Sequence, residues 1–272
     1  MVGGHAAPHV VTRLFATDGT PLVGSYLPSG GSEAAVLLLH GFGANRRKPA
    51  YARLADGLAA SLPVLALDLR GHGHSGGWST FGDREADDVI AGAEWLRRMG
   101  HRRVVVVGLS MGATAAVHAI SHGLDAAGLA LVSAPATFRT EPENEATRRL
   151  KRVWDSPAQR RALRMVLGIN LGGPDHWRSP ADSVEMLAGA TSPLLVVHGE
   201  DDAYFPMTDA EALVAAAAGP ATLWREPVGF GHAEDGVTPE FVATLRAALH
   251  TCLVQGAFPE RTMRQLPQDP AA

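Results

Sequence analysis

The chain has 272 residues, 46% of them hydrophobic, with a formal net charge of -4 and a pI near 6.3. That length suits one large α/β domain or two small ones with a sizeable core, and the mild acidity gives no reason to expect a nucleic-acid partner. A single cysteine, Cys252, excludes an internal disulfide framework and fits a reducing compartment, and no apolar run approaches the ~18 residues of a membrane span.

Residues 1–10 contain no basic region leading into an apolar core, so no signal peptide is expected and the chain reads as cytoplasmic. Apolar-rich runs at 10–16 and 22–27 flank Asp18-Gly19, a hairpin signal. Residues 34–39 are continuously apolar, as in a strand covered on both faces. The pattern then alternates: helix 49–60, strand 63–69, helix 83–99, strand 104–109, helix 111–122, strand 129–134. It resumes with strand 194–198, helix 207–218, strand 221–226 and helix 239–254, where Cys252 is expected as a packing residue. Such alternation predicts a mostly parallel twisted sheet of about eight strands flanked by helices, with antiparallel strands at one edge.

Residues 136–190 break this rhythm. Leu150, Val153, Trp154, Leu163, Val166 and Leu167 recur at roughly helical spacing, and Pro157, Pro174 and Pro180 cut the stretch into short pieces. The expectation is a helical cap inserted into a core made of 1–135 and 191–255. Its many arginines read as solvated helix faces. Residues 256–272, with three prolines and few apolar side chains, read as a loose tail.

The sharpest signal is Gly108-Leu109-Ser110-Met111-Gly112, set between a β-branched run and a helix. In that context G-x-S-x-G is a nucleophile elbow: glycines let strand and helix approach, and the serine projects above the sheet beside the Met111 N–H. A serine hydroxyl needs a base, and the base needs an orienting acid. His232, in the glycine-flanked loop after strand 221–226, is the candidate base. The acid belongs in the loop after strand 194–198, where Glu200, Asp201 and Asp202 leave the choice open. A second donor for a tetrahedral oxyanion is expected from Phe42 N–H in His40-Gly41-Phe42-Gly43. His40 itself reads as a hydrogen-bonded structural residue. Two loop histidines in Gly71-His72-Gly73-His74 are weak evidence for metal, and with no H-E-x-x-H or Cys/His cluster no metal or other cofactor is expected.

Together these pieces resemble the α/β-hydrolase superfamily, from about residue 20 to residue 254. They are His40-Gly41-Phe42-Gly43, Asp68-Leu69-Arg70-Gly71-His72-Gly73-His74-Ser75, the elbow, His198-Gly199-Glu200-Asp201-Asp202 with Pro206, and Gly231-His232. The family pattern H-G-x-x-D-x-x-x-P falls on His198, Gly199, Asp202 and Pro206, which selects Asp202 as the acid. The resemblance also implies that 136–190 covers a pocket, with Trp154 and Trp177 among the residues near a substrate. A serine at the elbow sets the chain apart from relatives with an aspartate nucleophile. The implied function is a serine hydrolase that cleaves a small to medium carboxylic ester or thioester through an acyl-enzyme, with catalytic Ser110, Asp202 and His232 and oxyanion donors Phe42 and Met111. Rivals on the same fold are a cofactor-free perhydrolase or haloperoxidase-like activity, a C–C hydrolase, and a non-catalytic ligand-binding protein. Acyl length, leaving group and oligomeric state leave no mark in the sequence.

Overall fold

The computed structural model describes residues 4–137, 142–178 and 182–261. Gly19 turns at φ 81° and the Asp18 carboxylate accepts the Thr20 N–H, which closes β1 (Val10–Phe15) and β2 (Pro21–Leu27) into an antiparallel hairpin. The remaining strands are β3 (Ala34–Leu39), β4 (Val64–Asp68), β5 (Arg103–Leu109), β6 (Gly128–Val132), β7 (Leu194–Gly199) and β8 (Ala221–Glu226). They form one eight-stranded sheet in the order β1-β2-β4-β3-β5-β6-β7-β8. From β4 through β8 every neighbouring pair is parallel, while β2 runs antiparallel to both β1 and β4.

Among the described residues the α-helices are α1 (Pro49–Ala59), α2 (Glu85–Arg98), α3 (Met111–Ser121), α4 (Glu145–Asp155), α5 (Pro157–Leu167), α6 (Ser183–Leu187), α7 (Met207–Ala216) and α8 (Pro239–Gln255). Alternate strand residues feed two cores. In β3, Ala35, Leu37 and Leu39 join the layer of α2, α3 and α7, whereas Val36 and Leu38 join that of α1 and α8. Element ends differ from the sequence pattern by one or two residues, the usual scatter of fraying termini. None of these helices is long and apolar enough to cross a membrane.

Within 136–190, Asn144 caps α4 in a box with Thr147, and Ser156 with Pro157 starts α5, which stops at Gly168 in the left-handed region. Pro157 and Pro174 thus act as helix starters. Pro180, Arg139 and Glu141 lie outside the described residues. Arg148, Arg149 and Arg152 all reach the exposed Glu145, as a solvated helix face would. By contrast α6 packs on α3 and α7 and buries Leu187 in the sheet's own core.

The tail needs correction in its first part. Phe258 is buried, its carbonyl accepts the Thr222 hydroxyl, Trp224 Nε1–H donates to the Pro259 carbonyl, and Arg261 pairs with Glu226. One aromatic anchor and contacts from three β8 side chains dock residues 256–261, a long-range effect that polar composition hides. Residues 262–272 lie outside the described residues.

Candidate active site

Parallel strands bring the loops after β3, β5, β7 and β8 to one edge of the sheet. At the end of β5, Ser110 sits at φ 51° and ψ −117°, a conformation that costs a non-glycine residue about 1–3 kcal/mol. Its neighbours hold it there. The Ser110 N–H donates to the Val132 carbonyl at 2.8 Å, and its carbonyl accepts from Ala113 and Thr114. A Cβ on Gly108 would lie 2.5 Å from the Gly112 carbonyl oxygen, and one on Gly112 would lie 2.8 Å from the carbonyl oxygens of His40 and Leu39. Strand, helix and the loop after β3 therefore meet at distances only glycine permits.

His232 bridges the serine and an acid. Its Nε2 is 3.0 Å from Ser110 Oγ, and its Nδ1 is 2.8 Å from Asp202 Oδ2. With Nδ1–H donating to the carboxylate, Nε2 is left to accept the serine proton. Burial alone would raise the Asp202 carboxyl, but His232 and the N–H groups of Tyr204 and Phe205 outweigh it and hold the acid below its usual range. The imidazole packs against Tyr204, with ring centres 4.3 Å apart, and against Phe205.

Two further residues hold the His232 loop: Asp201, weighed in the sequence only as a candidate acid, and Ser133, which sequence reasoning passed over. Asp201 faces away from the imidazole and accepts the N–H groups of Gly229 and Gly231 at 2.7 and 3.0 Å, which lower its own pKa. Ser133, buried after β6 at φ 53°, accepts the Ala233 N–H at 2.9 Å. Nothing local marks Ser133, whose partner lies a hundred residues on; the Asp201-Asp202 pair was a signal, for two carboxylates with two tasks.

The loop after β3 is pinned on both sides of Phe42. Gly41 N–H donates to the Tyr51 hydroxyl, and His40 Nδ1–H donates to the Gly41 carbonyl while Nε2 accepts Leu69 N–H. His72 Nε2 accepts Gly43 N–H, and its Nδ1–H donates to the Arg70 carbonyl. Burial pushes both imidazoles down to about 4, so they are neutral struts that present the acceptor these contacts need. A Cβ on Gly41 would lie 3.3 Å from Ser110 Cβ, so this loop abuts the serine. The N–H groups of Phe42 and Met111 have no acceptor among the described residues.

Ser110 opens into a cavity of about 180 Å³. Phe42, Phe81, Phe205, Trp154 and Trp177 give it an aromatic lining, and the Trp154 and Trp177 rings meet tilted, with centres 5.0 Å apart. From α4, Thr147, Leu150, Lys151 and Trp154 face it at helical spacing. The Asn144 amide ties that helix to the Tyr204 carbonyl at 2.9 Å. An imidazole that bridges a serine and a carboxylate beside two free amide N–H groups can run acyl transfer on a carbonyl compound held in this cavity.

Over 222 residues the chain is 33% identical to an uncharacterized protein of Mycobacterium tuberculosis, which covers 79% of this chain and 69% of that protein. Among solved structures it is similar to the esterase Pf2001 of Pyrococcus furiosus, with a TM-score of 0.69 and 22% identity over 91% of this chain and 96% of the other. The esterase RhEst1 of Rhodococcus sp. gives a TM-score of 0.66 and 23% identity over 89% and 98%. Residues 36–263 match the family model described as the alpha/beta hydrolase family, and the chain belongs to that family.

Proposed function

We propose that this protein is a serine hydrolase that cleaves a carboxylic ester, or a thioester, of a small to medium acyl group through an acyl-enzyme. The observation that carries the reading is His232 within hydrogen-bond reach of both Ser110 and Asp202, with the serine held at an elbow. Ester cleavage is also the activity named for the Pyrococcus furiosus and Rhodococcus neighbours.

In the proposed reaction His232 Nε2 takes the Ser110 proton as Oγ attacks the carbonyl carbon. The tetrahedral oxyanion receives the N–H groups of Phe42 and Met111, each contributing about 2.7–4 kcal/mol if it acts as such donors do elsewhere. His232 hands its proton to the leaving alcohol or thiol, and the carbonyl re-forms as the acyl-enzyme. Water then gives its proton to His232 and its oxygen to the acyl carbon, and Ser110 recovers its hydrogen as the acid departs. Asp202 keeps the imidazole in the required tautomer and balances its transient charge. Residues 136–190 act as the cap through α4 and α5, and the free buried Cys252 suits a cytoplasmic setting.

The test is labelling by a fluorophosphonate probe together with turnover of a p-nitrophenyl ester series from acetate to palmitate and matching acyl-CoA thioesters. Wild type is expected to label and turn over, and Ser110→Ala to do neither. A folded wild type that neither labels nor hydrolyses any of these substrates overturns the reading.

A further inference from the structure

The cavity below Ser110 does not stay apolar. Met111, Thr114 and His118 share one face of α3, which puts His118 about 12 Å along the helix axis from the serine. The lining along this face includes Thr114, one turn from the serine, and His118, with Asp83 4.0 Å from the imidazole and Ser183 from α6. His118 and Ser183 are only 4% and 3% exposed, and among the described residues neither side chain makes a hydrogen bond, nor does the Thr114 hydroxyl. The nearest candidate for His118 is Asp83 Oδ1, 4.0 Å from Nδ1 and beyond bonding distance, while Asp83 Oδ2 accepts the Arg178 N–H at 2.7 Å. These side chains line the cavity with no hydrogen bond to another described residue, so their polar atoms are available to a polar group of whatever occupies it.

We propose that the floor formed by Thr114, His118, Ser183 and Asp83 selects acyl chains that carry a hydroxyl at their far end. This rests on the hydrolase reading above and adds the substrate class to it. A hydroxyl is both donor and acceptor, so it can donate to the Asp83 carboxylate or the imidazole and accept from Ser183 or Thr114. Burial pushes His118 down to about 4, so at neutral pH the imidazole is uncharged and adds no positive charge beside the Asp83 carboxyl group. A terminal carboxylate is repelled there, and a plain methyl end leaves all three groups unpaired. The acyl part is the one that reaches the floor. His232 must protonate the leaving group, so the alcohol sits on the imidazole's side, by Tyr204 and Phe205, whereas the floor lies two helical turns down α3.

The experiment compares p-nitrophenyl butyrate, hexanoate and octanoate with their ω-hydroxy and ω-carboxy counterparts. At the chain length that spans the cavity, kcat/KM for the hydroxyacyl ester is expected to exceed that for the plain ester by about tenfold or more. In Ser183→Ala and Thr114→Val, which remove hydroxyls at little change in shape, the ratio of hydroxyacyl to plain kcat/KM should fall toward unity. A wild-type ratio at or below unity at every length, or a preference for the carboxylate, overturns the inference while p-nitrophenyl acetate turnover keeps the hydrolase reading intact. If no ester is turned over, binding decides: Ser110→Ala is titrated with methyl ω-hydroxyalkanoates and methyl alkanoates, read by the fluorescence of Trp154 and Trp177. Tighter binding of the hydroxylated series upholds the floor, and equal or weaker binding overturns it.

Discussion

Burial pushes the imidazoles of His40, His72 and His118 down to about 4 each, with the neighbouring His40 adding to the effect at His72. In an unfolded chain an imidazole titrates near ~6.5, so the unfolded state takes up these protons first. The stability each contributes is complete above about 6.5 and is lost as pH falls toward about 4. Between pH 7 and pH 5 the loss is a little under ~2 kcal/mol per imidazole, or about 5 kcal/mol for the three. Asp88 acts in the opposite sense: burial beside Arg70 pushes its carboxyl up to about 7. A proton held there by the folded state returns about 2 kcal/mol over the same interval. The net loss expected is about 3 kcal/mol, a large share of the ~5–15 kcal/mol that holds a typical domain together. Asp18 and Asp202, both lowered, add their losses only at more acid pH. Urea unfolding followed by tryptophan fluorescence at neutral pH and at pH 5 measures the difference. A midpoint that stays constant between them, with constant slope, would refute the assignment of these histidines as buried and uncharged.

Three further outcomes are expected. Asp202→Asn should lower kcat on p-nitrophenyl acetate by about 10⁴-fold with an intact fold, because the amide no longer enforces the tautomer; a loss below tenfold argues that another acid serves His232. Gly112→Ala forces a methyl against the ends of β3 and should destabilise by about 1–3 kcal/mol, read as a lower urea midpoint, and a neutral result means the elbow contact is loose. Asp201→Ala frees the N–H groups of Gly229 and Gly231 and should lower kcat about tenfold with little change in KM, partly rescued by Asp201→Asn; unchanged kcat removes Asp201 from the positioning of His232.

Periodicity made the architecture readable because each segment carries one unambiguous pattern. Residues 34–39 are apolar on both faces, and Gly108 and Gly112 bracket a serine where a strand must give way to a helix. What local pattern could not resolve was direction. Asp201 and Asp202 are adjacent and chemically alike, and only the fold turns one toward glycine amides and the other toward His232. The resemblance chose between them where spacing did not. Ser133 and Tyr51 escaped notice, and the task of His72 could not be read, because their partners are remote in sequence or are backbone groups, which leave no compositional trace. The polar end of the cavity was missed for a related reason: Thr114 and His118 sit in an alanine-rich helix that reads as ordinary core.

Ser110, Asp202 and His232 all stand on loops anchored by the sheet, whereas α4 and α5 have no buried residue of their own. The helix α4 that lines one side of the cavity is thus separable in sequence from the loops that carry those three residues. Residues 144–168 should be open to exchange with the corresponding stretch of a relative, so that a graft at Asn144 and Gly168 retunes which molecules enter while the reacting groups keep their alignment.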